Sequence, residues 1–461
     1  MDRGVSVSSR EGSARFSEAT LLGAIVAPLL DGGGGGGGVL LPPGEDDRDR
    51  SAYLNTHEPF CFVTVGVQGA GKSHTLACAL EGCLVPFRQM DVVRLEAPMT
   101  SLVLHYDTSA ASVCEATGLV SPAPDLARLL KDLGAGPAPC VPPERAVILV
   151  SPSYLKQRRK FYGTYCAVQP LLLRWRALTA DHIKRIMRIK DGDNQLYVAA
   201  LLDLLRRYQR LGVVPKFQEF MVEVREVCKC PGQEGPLGQR LALLESLVAE
   251  SALNSSLLDE GGDLGKFCKP GHLVVVDLTD PLLSSEEANG VFQVLVEQYR
   301  ALPSRGGKVL ALDEAHKYMS GDAGDGLSAA LVNTARLMRH DGMRLLVSTQ
   351  SPLALAPELL ELVSVAFLHR FHSADWFAYL AKKLPLSPGA WRALVELRPG
   401  HALLFAARHT LPSSWALEGC DADCEQEDGG GHAPLFKIAV RRRITADRGA
   451  SRTNKAEAEV A

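Results

Sequence analysis

The chain has 461 residues, of which 46% are hydrophobic and 22% are charged, and its formal net charge is -3. This composition is sufficient for a large core and excludes a chain that is disordered throughout. The small net charge excludes a protein that attracts nucleic acid over its whole surface, so any nucleic-acid contact would have to be local.

The composition divides the chain into five parts. Residues 1–58 contain seven consecutive glycines and a run of six charged residues, which predicts a flexible N-terminal arm. Residues 59–152 and 271–410 carry short apolar runs between helical patterns and are predicted to be the first and second parts of one core. A basic helical insertion is predicted between them at 153–270. Residues 411–461 are predicted to hold a loop, a strand and a disordered tail.

Short, strongly apolar runs mark the predicted strands. Their alternation with helical patterns is typical of an α/β fold, in which a mostly parallel sheet is buried between helices. The last two runs are expected to form a pair of neighbouring strands. The predicted strands lie at 60–65, 101–106, 146–150, 272–278, 308–312, 344–348, 400–406 and 436–440.

Cysteine usage and hydropathy predict an intracellular protein, cytoplasmic or nuclear. Eleven cysteines are scattered without regular spacing, and an odd count without a secretory signal is typical of a reducing compartment. No run of 18 or more apolar residues occurs, and the apolar run at 21–30 is too short to span a bilayer. We therefore expect no contact with a membrane.

The predicted strand at 60–65 leads into a phosphate-binding motif. Residues 66–73 read GVQGAGKS and match G-x-x-x-x-G-K-[ST]. The glycines allow successive N–H groups to point at one phosphate, and the following helix adds its positive N-terminal end. Lys72 is expected to bridge the β- and γ-phosphates of ATP, and the Ser73 hydroxyl to coordinate Mg²⁺. The predicted nucleotide-binding residues are Gly66, Gln68, Gly69, Ala70, Gly71, Lys72, Ser73 and His74, with a structural alternative for Gln68 and His74.

The predicted strand at 308–312 ends in two acids, Asp313 and Glu314. Asp313 is expected to hold Mg²⁺, and Glu314 to orient and deprotonate the attacking water. After the next strand, the Gln350 side chain can reach the γ-phosphate. We expect the phosphate loop and the two acids to face each other across the ends of adjacent strands. His316 follows the acids and is interpreted as structurally incidental.

Together these motifs resemble the HerA/FtsK group of P-loop ATPases. The resemblance covers roughly residues 59–110 and 270–410. It implies a RecA-like sheet, ATP hydrolysis and assembly into a homo-oligomeric ring. The matching sequences are GVQGAGKS at 66–73, VVVDL at 274–278, LALDEAH at 310–316, RHDGMRLLVSTQSP at 339–352 and FLHRF at 367–371.

The resemblance also implies an arginine that completes the site of a neighbouring subunit. Arg339 is the first candidate because it occupies the Arg-x-x-Gly position, and Arg336 and Arg370 are weaker candidates. A plain surface role is the alternative for each of these arginines. With it, the predicted catalytic residues are Glu314, Lys72, Gln350 and Arg339. The glycine tract and the tails suggest a eukaryotic branch of the group, fungal among the options.

The segment at 154–230 carries a local positive charge, with 16 Lys/Arg against 7 Asp/Glu. Its densest part, within 154–190, has aromatic residues nearby, which favours contact with phosphate backbones and stacking on bases. Solvated helix faces, internal ion pairs and a subunit interface remain alternatives. The Arg441-Arg442-Arg443 run could extend this surface or flank a strand.

Two functions remain open from the sequence. The first is an oligomeric ATPase that moves along nucleic acid. The second is a slow nucleotide-binding switch or scaffold that acts on protein partners. Stimulation of hydrolysis by a nucleic acid would favour the first.

Overall fold

The structure is a computed structural model that describes residues 5–26, 50–88, 90–189, 196–228, 234–259, 261–304, 306–322, 325–386, 389–417 and 435–448. Its strands are β1 (Val7–Ser9), β2 (Ala19–Ile25), β3 (Ser51–Asn55), β4 (Cys61–Val65), β5 (Val93–Arg94), β6 (Thr100–His105), β7 (Ala146–Val150), β8 (Ala167–Pro170), β9 (Leu273–Asp277), β10 (Lys308–Leu312), β11 (Met343–Thr349), β12 (Val365–Leu368), β13 (His401–Ala406), β14 (His409–Thr410) and β15 (Leu435–Val440). Its α-helices are α1 (Arg10–Ser13), α2 (Lys72–Leu84), α3 (Pro124–Asp132), α4 (Leu155–Tyr162), α5 (Ala180–Ile186), α6 (Leu196–Leu211), α7 (Phe217–Val227), α8 (Glu234–Leu247), α9 (Leu264–Phe267), α10 (Ser285–Ala301), α11 (Gly326–Asp341), α12 (Pro357–Glu361), α13 (Ala374–Ala381) and α14 (Ala390–Val395).

The strands form one sheet in the order β14-β1-β3-β2-β15-β13-β12-β4-β11-β10-β6-β9-β7-β8, and β5 pairs with β2 beside this path. The eight neighbours from β12 to β8 run parallel to one another. From β12 through β13, β15, β2 and β3 to β1, neighbouring strands pair antiparallel. The predicted α/β class with a mostly parallel central sheet is confirmed.

Helices cover both faces of the sheet because its central strands are apolar on both sides. In β10, Leu310 and Leu312 belong to the hydrophobic cluster shared with α10 and α11. The alternate residues Val309 and Ala311 belong to the cluster shared with α2. Successive side chains of a strand point to opposite faces, so an all-apolar strand requires cover on each face. This accounts for the burial of the four apolar β10 positions, and the first position, Lys308, is buried with its Nζ donating to two carbonyl oxygens.

The predicted core strands agree with the structure. The runs at 60–65, 101–106, 146–150, 272–278, 308–312 and 344–348 correspond to β4, β6, β7, β9, β10 and β11. The expected final pair is also present, since β13 pairs antiparallel with β15.

The prediction of a flexible arm at 1–58 is wrong for the described parts of that segment. All seven residues of β2 are buried, and β2 pairs with β3 and with β15. The apolar sequence of β2 buries enough surface to offset its ordering entropy, whereas the prediction gave more weight to the glycines and charges. The glycine tract itself lies outside the described residues.

The segment at 153–270 is mainly helical, as expected, from α4 to α9. It also contains one strand that was not predicted. This strand, β8, pairs in parallel with β7. Of the loop, strand and tail predicted at 411–461, residues 418–434 and 449–461 lie outside the described residues. Among the helices that the structure describes, none combines the length and the apolar character needed to cross a membrane.

Candidate functional site

The loop between β4 and α2 has the backbone shape that the phosphate motif requires. Gly69 and Gly71 adopt positive φ angles of 74° and 110°, which residues with a side chain rarely adopt. Gly71 is the N-cap of α2 and contributes no capping side chain, so the first N–H groups of the helix remain available to an anion. The loop is held in place because the Val67 N–H donates to the Arg370 carbonyl at 3.1 Å.

A buried histidine, His369, packs against the phosphate loop. The His369 ring donates from Nδ1 to the His401 carbonyl at 3.0 Å, and its Nε2 accepts from the Thr75 hydroxyl at 2.9 Å. Burial lowers the pKa of His369 to about 3, so the ring is neutral. A Cβ added at Gly66 would lie 2.7 Å from the His369 Cβ, and one at Gly71 would lie 3.3 Å from Cε1. The two loop glycines therefore allow a close approach to this ring.

Lys72 lies at the start of α2 and is only 4% exposed. Its Nζ donates to the Val67 carbonyl at 3.1 Å. Burial lowers the pKa of Lys72, while the nearby carboxylates of Glu314 and Asp313 act in the opposite direction. The lysine of the phosphate motif and the two acids are therefore close enough to interact electrostatically.

The phosphate loop and the acids meet at the same edge of the sheet, but not on adjacent strands. β11 lies between β4 and β10 and pairs in parallel with both. The expectation of adjacent strands is therefore wrong. The intervening strand brings Gln350, which follows β11, between the phosphate loop and the acids. This arrangement agrees with the expectation that Gln350 follows the neighbour of the acid strand.

Asp313 follows β10 and is 3% exposed. Its Oδ1 has no hydrogen-bond partner among the described residues, and its Oδ2 lies 3.6 Å from His105 Nδ1. Burial disfavours the charged imidazole, yet the carboxylates of Asp313 and Asp277 raise the pKa of His105 above its ordinary value. A buried carboxylate oxygen without a partner fits the hard oxygen ligand that Mg²⁺ prefers.

Glu314 is held in an uncommon backbone conformation, with a φ of 50°. Its Oε2 accepts a hydrogen bond from Gln350 Nε2 at 3.0 Å. Burial and the charge of Asp313 raise the pKa of Glu314, against the opposing effect of Lys72. A carboxylate with raised proton affinity next to the phosphate loop can serve as a general base.

Sequence reasoning missed three side chains at this edge. His316 was interpreted as incidental, but its Nδ1 lies 3.3 Å from Glu314 Oε2 and accepts from the Gln350 N–H at 3.3 Å. Lys317 Nζ donates to Asp107 Oδ2 at 2.5 Å. Asp107 comes two residues after the end of β6, at the carboxyl edge shared with β10, and this position was the available signal.

The structure directs the His74 side chain away from the phosphate loop. His74 Nε2 lies 2.8 Å from the Arg441 carbonyl oxygen, in agreement with the structural alternative for this residue. The hydrogen bond and the nearby Cys78 raise the pKa of His74 to about 9 against the effect of burial. Gln68 is exposed, and Ser73 is half-buried at the start of α2.

Arg441 anchors α2 to the C-terminal strand and is not part of a surface patch. Arg441 and Glu81 are both fully buried and 2.6 Å apart, and Arg441 Nε also donates to the Leu21 carbonyl at 2.7 Å. Burial raises the pKa of Glu81, but the charges of Arg441 and Arg443 outweigh it and lower that pKa. Of the two interpretations of the 441–443 run, the structural one agrees with these contacts.

Arg339 is exposed in the last turn of α11. Since α11 ends just before β11 begins, Arg339 lies at the amino edge of the strands, opposite the phosphate loop. Arg336 pairs with Glu358 at 2.9 Å, and Arg370 is half-buried. The position of Arg339 prevents it from reaching the phosphate loop of its own chain.

The basic segment at 154–190 is largely engaged within the chain. Arg158 is 1% exposed and forms a buried ion pair with Asp277. Its terminal nitrogens also donate to two carbonyl oxygens and to the Tyr162 hydroxyl. Arg185 pairs with Asp181, and Arg188 with Glu286.

The aromatic side chains of this segment are also less available than expected. Tyr162 and Trp175 are buried in the core, and Phe161 and Tyr165 are half-buried against Tyr162. These buried and half-buried rings are therefore less open to stacking on bases than the sequence indicates, while exposed cations remain at Lys156, Lys160 and Arg176.

The phosphate-loop motif after β4, the acids after β10 and the polar residue after the strand between them lie at one edge of the same sheet. The fold that holds them is an α/β fold with a mostly parallel sheet flanked by helices.

Comparison with known proteins gives structural similarities alone, because no family model and no curated protein matches the chain. The chain is similar to VirB4 of Thermoanaerobacter pseudethanolicus, with 15% identity and a TM-score of 0.45 over 92% of this chain and 97% of that chain. It is also similar to the plasmid coupling protein TrwB in complex with ADP and Mg²⁺, with 12% identity and a TM-score of 0.43 over 94% and 96%. The genome packaging NTPase B204 from Sulfolobus turreted icosahedral virus 2 has 21% identity and a TM-score of 0.22 over 29% and 62%. The suspected eukaryotic branch finds no support in these similarities.

Proposed function

We propose that this protein binds and hydrolyses ATP with Mg²⁺. The observation that carries the proposal is the meeting of Lys72, Asp313 and Glu314 at the carboxyl edge of three neighbouring parallel strands. A phosphate loop alone would only bind a nucleotide. A buried acid with raised proton affinity beside it adds the group that hydrolysis needs.

The nucleotide would be held mainly by the loop backbone. The N–H groups of the loop and of the first turn of α2 would surround the β-phosphate, and the Lys72 ammonium would contact the β- and γ-phosphates. The His74 side chain is left out because it bonds to Arg441. ATP is preferred to GTP in this proposal because the sequence has no Asn-Lys-x-Asp guanine motif.

The Mg²⁺ ligands would be the Ser73 hydroxyl and the Asp313 carboxylate. Asp313 Oδ1 fits this role because it has no hydrogen-bond partner within the described part of the chain. Bound Mg²⁺ would neutralise charge on the phosphate oxygens.

The remaining residues act on the water that attacks the γ-phosphate. Glu314 would orient that water and accept its proton, and Lys72 would stabilise the charge that develops on the transferred group. Gln350 would report the presence of the γ-phosphate, since its amide contacts Glu314 in the structure and lies beside the phosphate loop.

We include a homo-oligomer in the proposal, with Arg339 completing the site of a neighbouring subunit. Arg339 is exposed and lies at the edge opposite the phosphate loop of its own chain. A catalytic role for it therefore requires a second copy of the chain.

In the first candidate function, hydrolysis would drive movement along nucleic acid. A specific observation favours the second candidate, a switch that acts on protein partners. In the basic segment that would contact nucleic acid, three side chains form ion pairs within the chain: Arg158, Arg185 and Arg188. Exposed Lys156, Lys160 and Arg176 remain for a nucleic-acid contact.

The experiment compares ATP hydrolysis and nucleotide affinity of wild type with those of Lys72→Ala. We expect Lys72→Ala to weaken ATP binding about 10- to 100-fold, because it removes charge-assisted hydrogen bonds. Lys131→Ala is the matched control, since Lys131 is exposed in the last turn of α3. Binding of ATP by Lys72→Ala as tightly as by wild type would contradict the proposal.

The same assay separates the two candidate functions. Hydrolysis is measured with and without duplex DNA, single-stranded DNA and RNA, and particle mass is measured with bound nucleotide. A motor turns over faster with polymer, whereas a switch does not. A single-copy mass with bound nucleotide would remove the proposed role of Arg339.

A further inference from the structure

His316 lies within a closed set of contacts at the site. It belongs to the 3-10 turn Ala315–Lys317, which begins directly after Glu314. His316 Nδ1 lies 3.3 Å from the Gln350 main-chain nitrogen and 3.3 Å from Glu314 Oε2. Gln350 Nε2 closes the set with a 3.0 Å hydrogen bond to the same carboxylate oxygen. His316 therefore holds the main chain of Gln350, and the Gln350 side chain holds Glu314, the residue before the turn.

The direction of the hydrogen bond between His316 and Gln350 is fixed by chemistry. A main-chain N–H can only donate, so His316 Nδ1 must be the acceptor and the ring proton of the neutral form must lie on Nε2. Burial, with the charges of Lys317 and Lys72, lowers the pKa of His316 to about 4, which keeps Nδ1 free to accept near neutral pH.

The position of Gln350 explains why its main chain needs this partner. Gln350 is the first residue after β11, where the sheet pairing with β4 ends at Thr349. Beyond that point, the acceptor for the Gln350 N–H is a side chain of the acid turn instead of a neighbouring strand. The direction in which the Gln350 side chain leaves the backbone therefore depends on His316.

We propose that His316 is a positioning residue for hydrolysis, which fixes the Gln350 main chain so that the Gln350 amide orients the Glu314 carboxylate. This inference rests on the proposed function and deepens it, because it names the residue that joins the γ-phosphate-sensing strand to the general base. His316 acts through Gln350 and does not itself touch the reacting atoms.

The test uses two substitutions of His316 in the full chain. His316→Ala removes the acceptor, whereas His316→Asn keeps an acceptor oxygen near the position of Nδ1. His340→Ala is the control, because His340 is 89% exposed at the end of α11. We expect His316→Ala to lower kcat about 10- to 100-fold, with less than about a threefold change in KM for ATP, because misplacement of a catalytic group affects mainly the reaction step. His316→Asn should recover most of the lost rate.

A double-mutant cycle with Gln350→Ala distinguishes positioning from a general structural role. If His316 acts through the Gln350 amide, His316→Ala should have no further effect on kcat in the Gln350→Ala background. A further loss equal to the loss in wild type would overturn the proposal, as would a His316→Asn variant that folds normally but is as slow as His316→Ala. Thermal unfolding of each variant excludes loss of the fold as the cause.

A binding measurement keeps this test separate from the test of the proposed function. The ratio of affinities for ATPγS and ADP reports discrimination of the γ-phosphate without turnover. We expect the single substitution His316→Ala to reduce this ratio by no more than about threefold, in line with the small change expected in KM, and to have no effect on it in the Gln350→Ala background. If wild type hydrolyses no ATP but the ratio changes as expected, the hydrolytic function fails and the link between His316 and Gln350 stands. An unchanged ratio in every variant overturns the link.

Discussion

Two charged regions of this protein differ in what their side chains contact. At the nucleotide edge, Asp313 is buried and one of its carboxylate oxygens has no partner among the described residues. In the basic segment at 154–190, Arg158 is equally buried, but its terminal nitrogens donate to a carboxylate, a hydroxyl and two carbonyls of its own chain. Arg158 Nε also has no hydrogen-bond partner among the described residues, so one unpartnered atom does not by itself indicate a ligand. Asp313 differs because it lies close enough to Lys72 of the phosphate loop to affect its pKa, whereas the Arg158 charge is neutralised by Asp277 of its own chain, which indicates a role in stability.

The comparison shows why counting charges in a sequence is a weak guide to binding. The excess of Lys/Arg over Asp/Glu at 154–230 takes into account only charges that are close to one another in sequence. Asp277 pairs with Arg158 across 119 residues of sequence and lies outside that segment. The motif-based prediction at the nucleotide edge was stronger because it specified the order of groups along strands.

The largest expected effect is at the nucleotide edge, for Glu314→Gln. The amide keeps the shape of the side chain but cannot accept the proton of the attacking water, so we expect kcat to fall about 10²- to 10⁴-fold with ATP affinity nearly unchanged. Single-turnover hydrolysis and equilibrium binding measure the two quantities. Hydrolysis at the wild-type rate would show that another group is the base.

The next effect belongs to the basic segment. Arg158→Met leaves Asp277 buried without its partner, and we expect a loss of about 3–5 kcal/mol in the free energy of unfolding. Arg206→Met is the control, since its ion pair with Asp203 at 3.3 Å is exposed and should contribute less than about 1 kcal/mol. Equal losses for the two variants, measured by denaturant unfolding, would remove the distinction between the regions.

A smaller effect is expected for the ion pair between Lys317 and Asp107. Burial alone would raise the pKa of Asp107, but its hydrogen bond from Lys317 helps to lower that pKa from 3.8 to about 2. The stabilisation should be complete above pH 3.8 and should be lost as the pH falls toward about 2. At neutral pH, Lys317→Met should lower the free energy of unfolding by about 1 kcal/mol, because hydrogen bonds from Ser109 and Ser112 account for part of the pKa shift and solvent screens the pair.

Unfolding of wild type and Lys317→Met is therefore compared between pH 7 and pH 2. The difference between the two proteins should shrink as the pH falls below about 4. A difference that stays constant over this range would mean that the Asp107 carboxylate is not its source.

The smallest effect is expected for Lys156→Ala combined with Lys160→Ala. These two exposed lysines can neutralise at most two phosphates, so the slope of log affinity against log salt should change by less than about 2. We expect no measurable change, because most of the neighbouring arginines are engaged within the chain. A change of about 2 would restore a nucleic-acid contact at this surface.

The parallel core and its site were readable from the sequence because both depend on local pattern. A mainly apolar strand followed by GVQGAGKS can be recognised within about ten residues, and so can a mainly apolar strand followed by two acids. Contacts between distant residues were not readable. The contact of His316 with Gln350 spans 34 residues of sequence and depends on the order of the strands, which the sequence gives only in part.

The N-terminal strands show a second limit. β2 is apolar along its length, but its place in the sheet depends on pairing with β15, more than 400 residues later. The residues near β2 in sequence give no indication that β15 is its partner. The glycine-rich composition after β2 therefore dominated the prediction for residues 1–58.

The buried pair of Glu81 and Arg441 has a consequence for the order in which the protein folds. Glu81 lies in the helix of the phosphate loop, and Arg441 follows 360 residues later. At typical ribosomal rates of about 5–20 residues per second, roughly 20–70 seconds pass between the synthesis of Glu81 and the synthesis of Arg441. During synthesis, the phosphate-loop helix therefore cannot reach its final packing until Arg441, which follows the last strand, has been made.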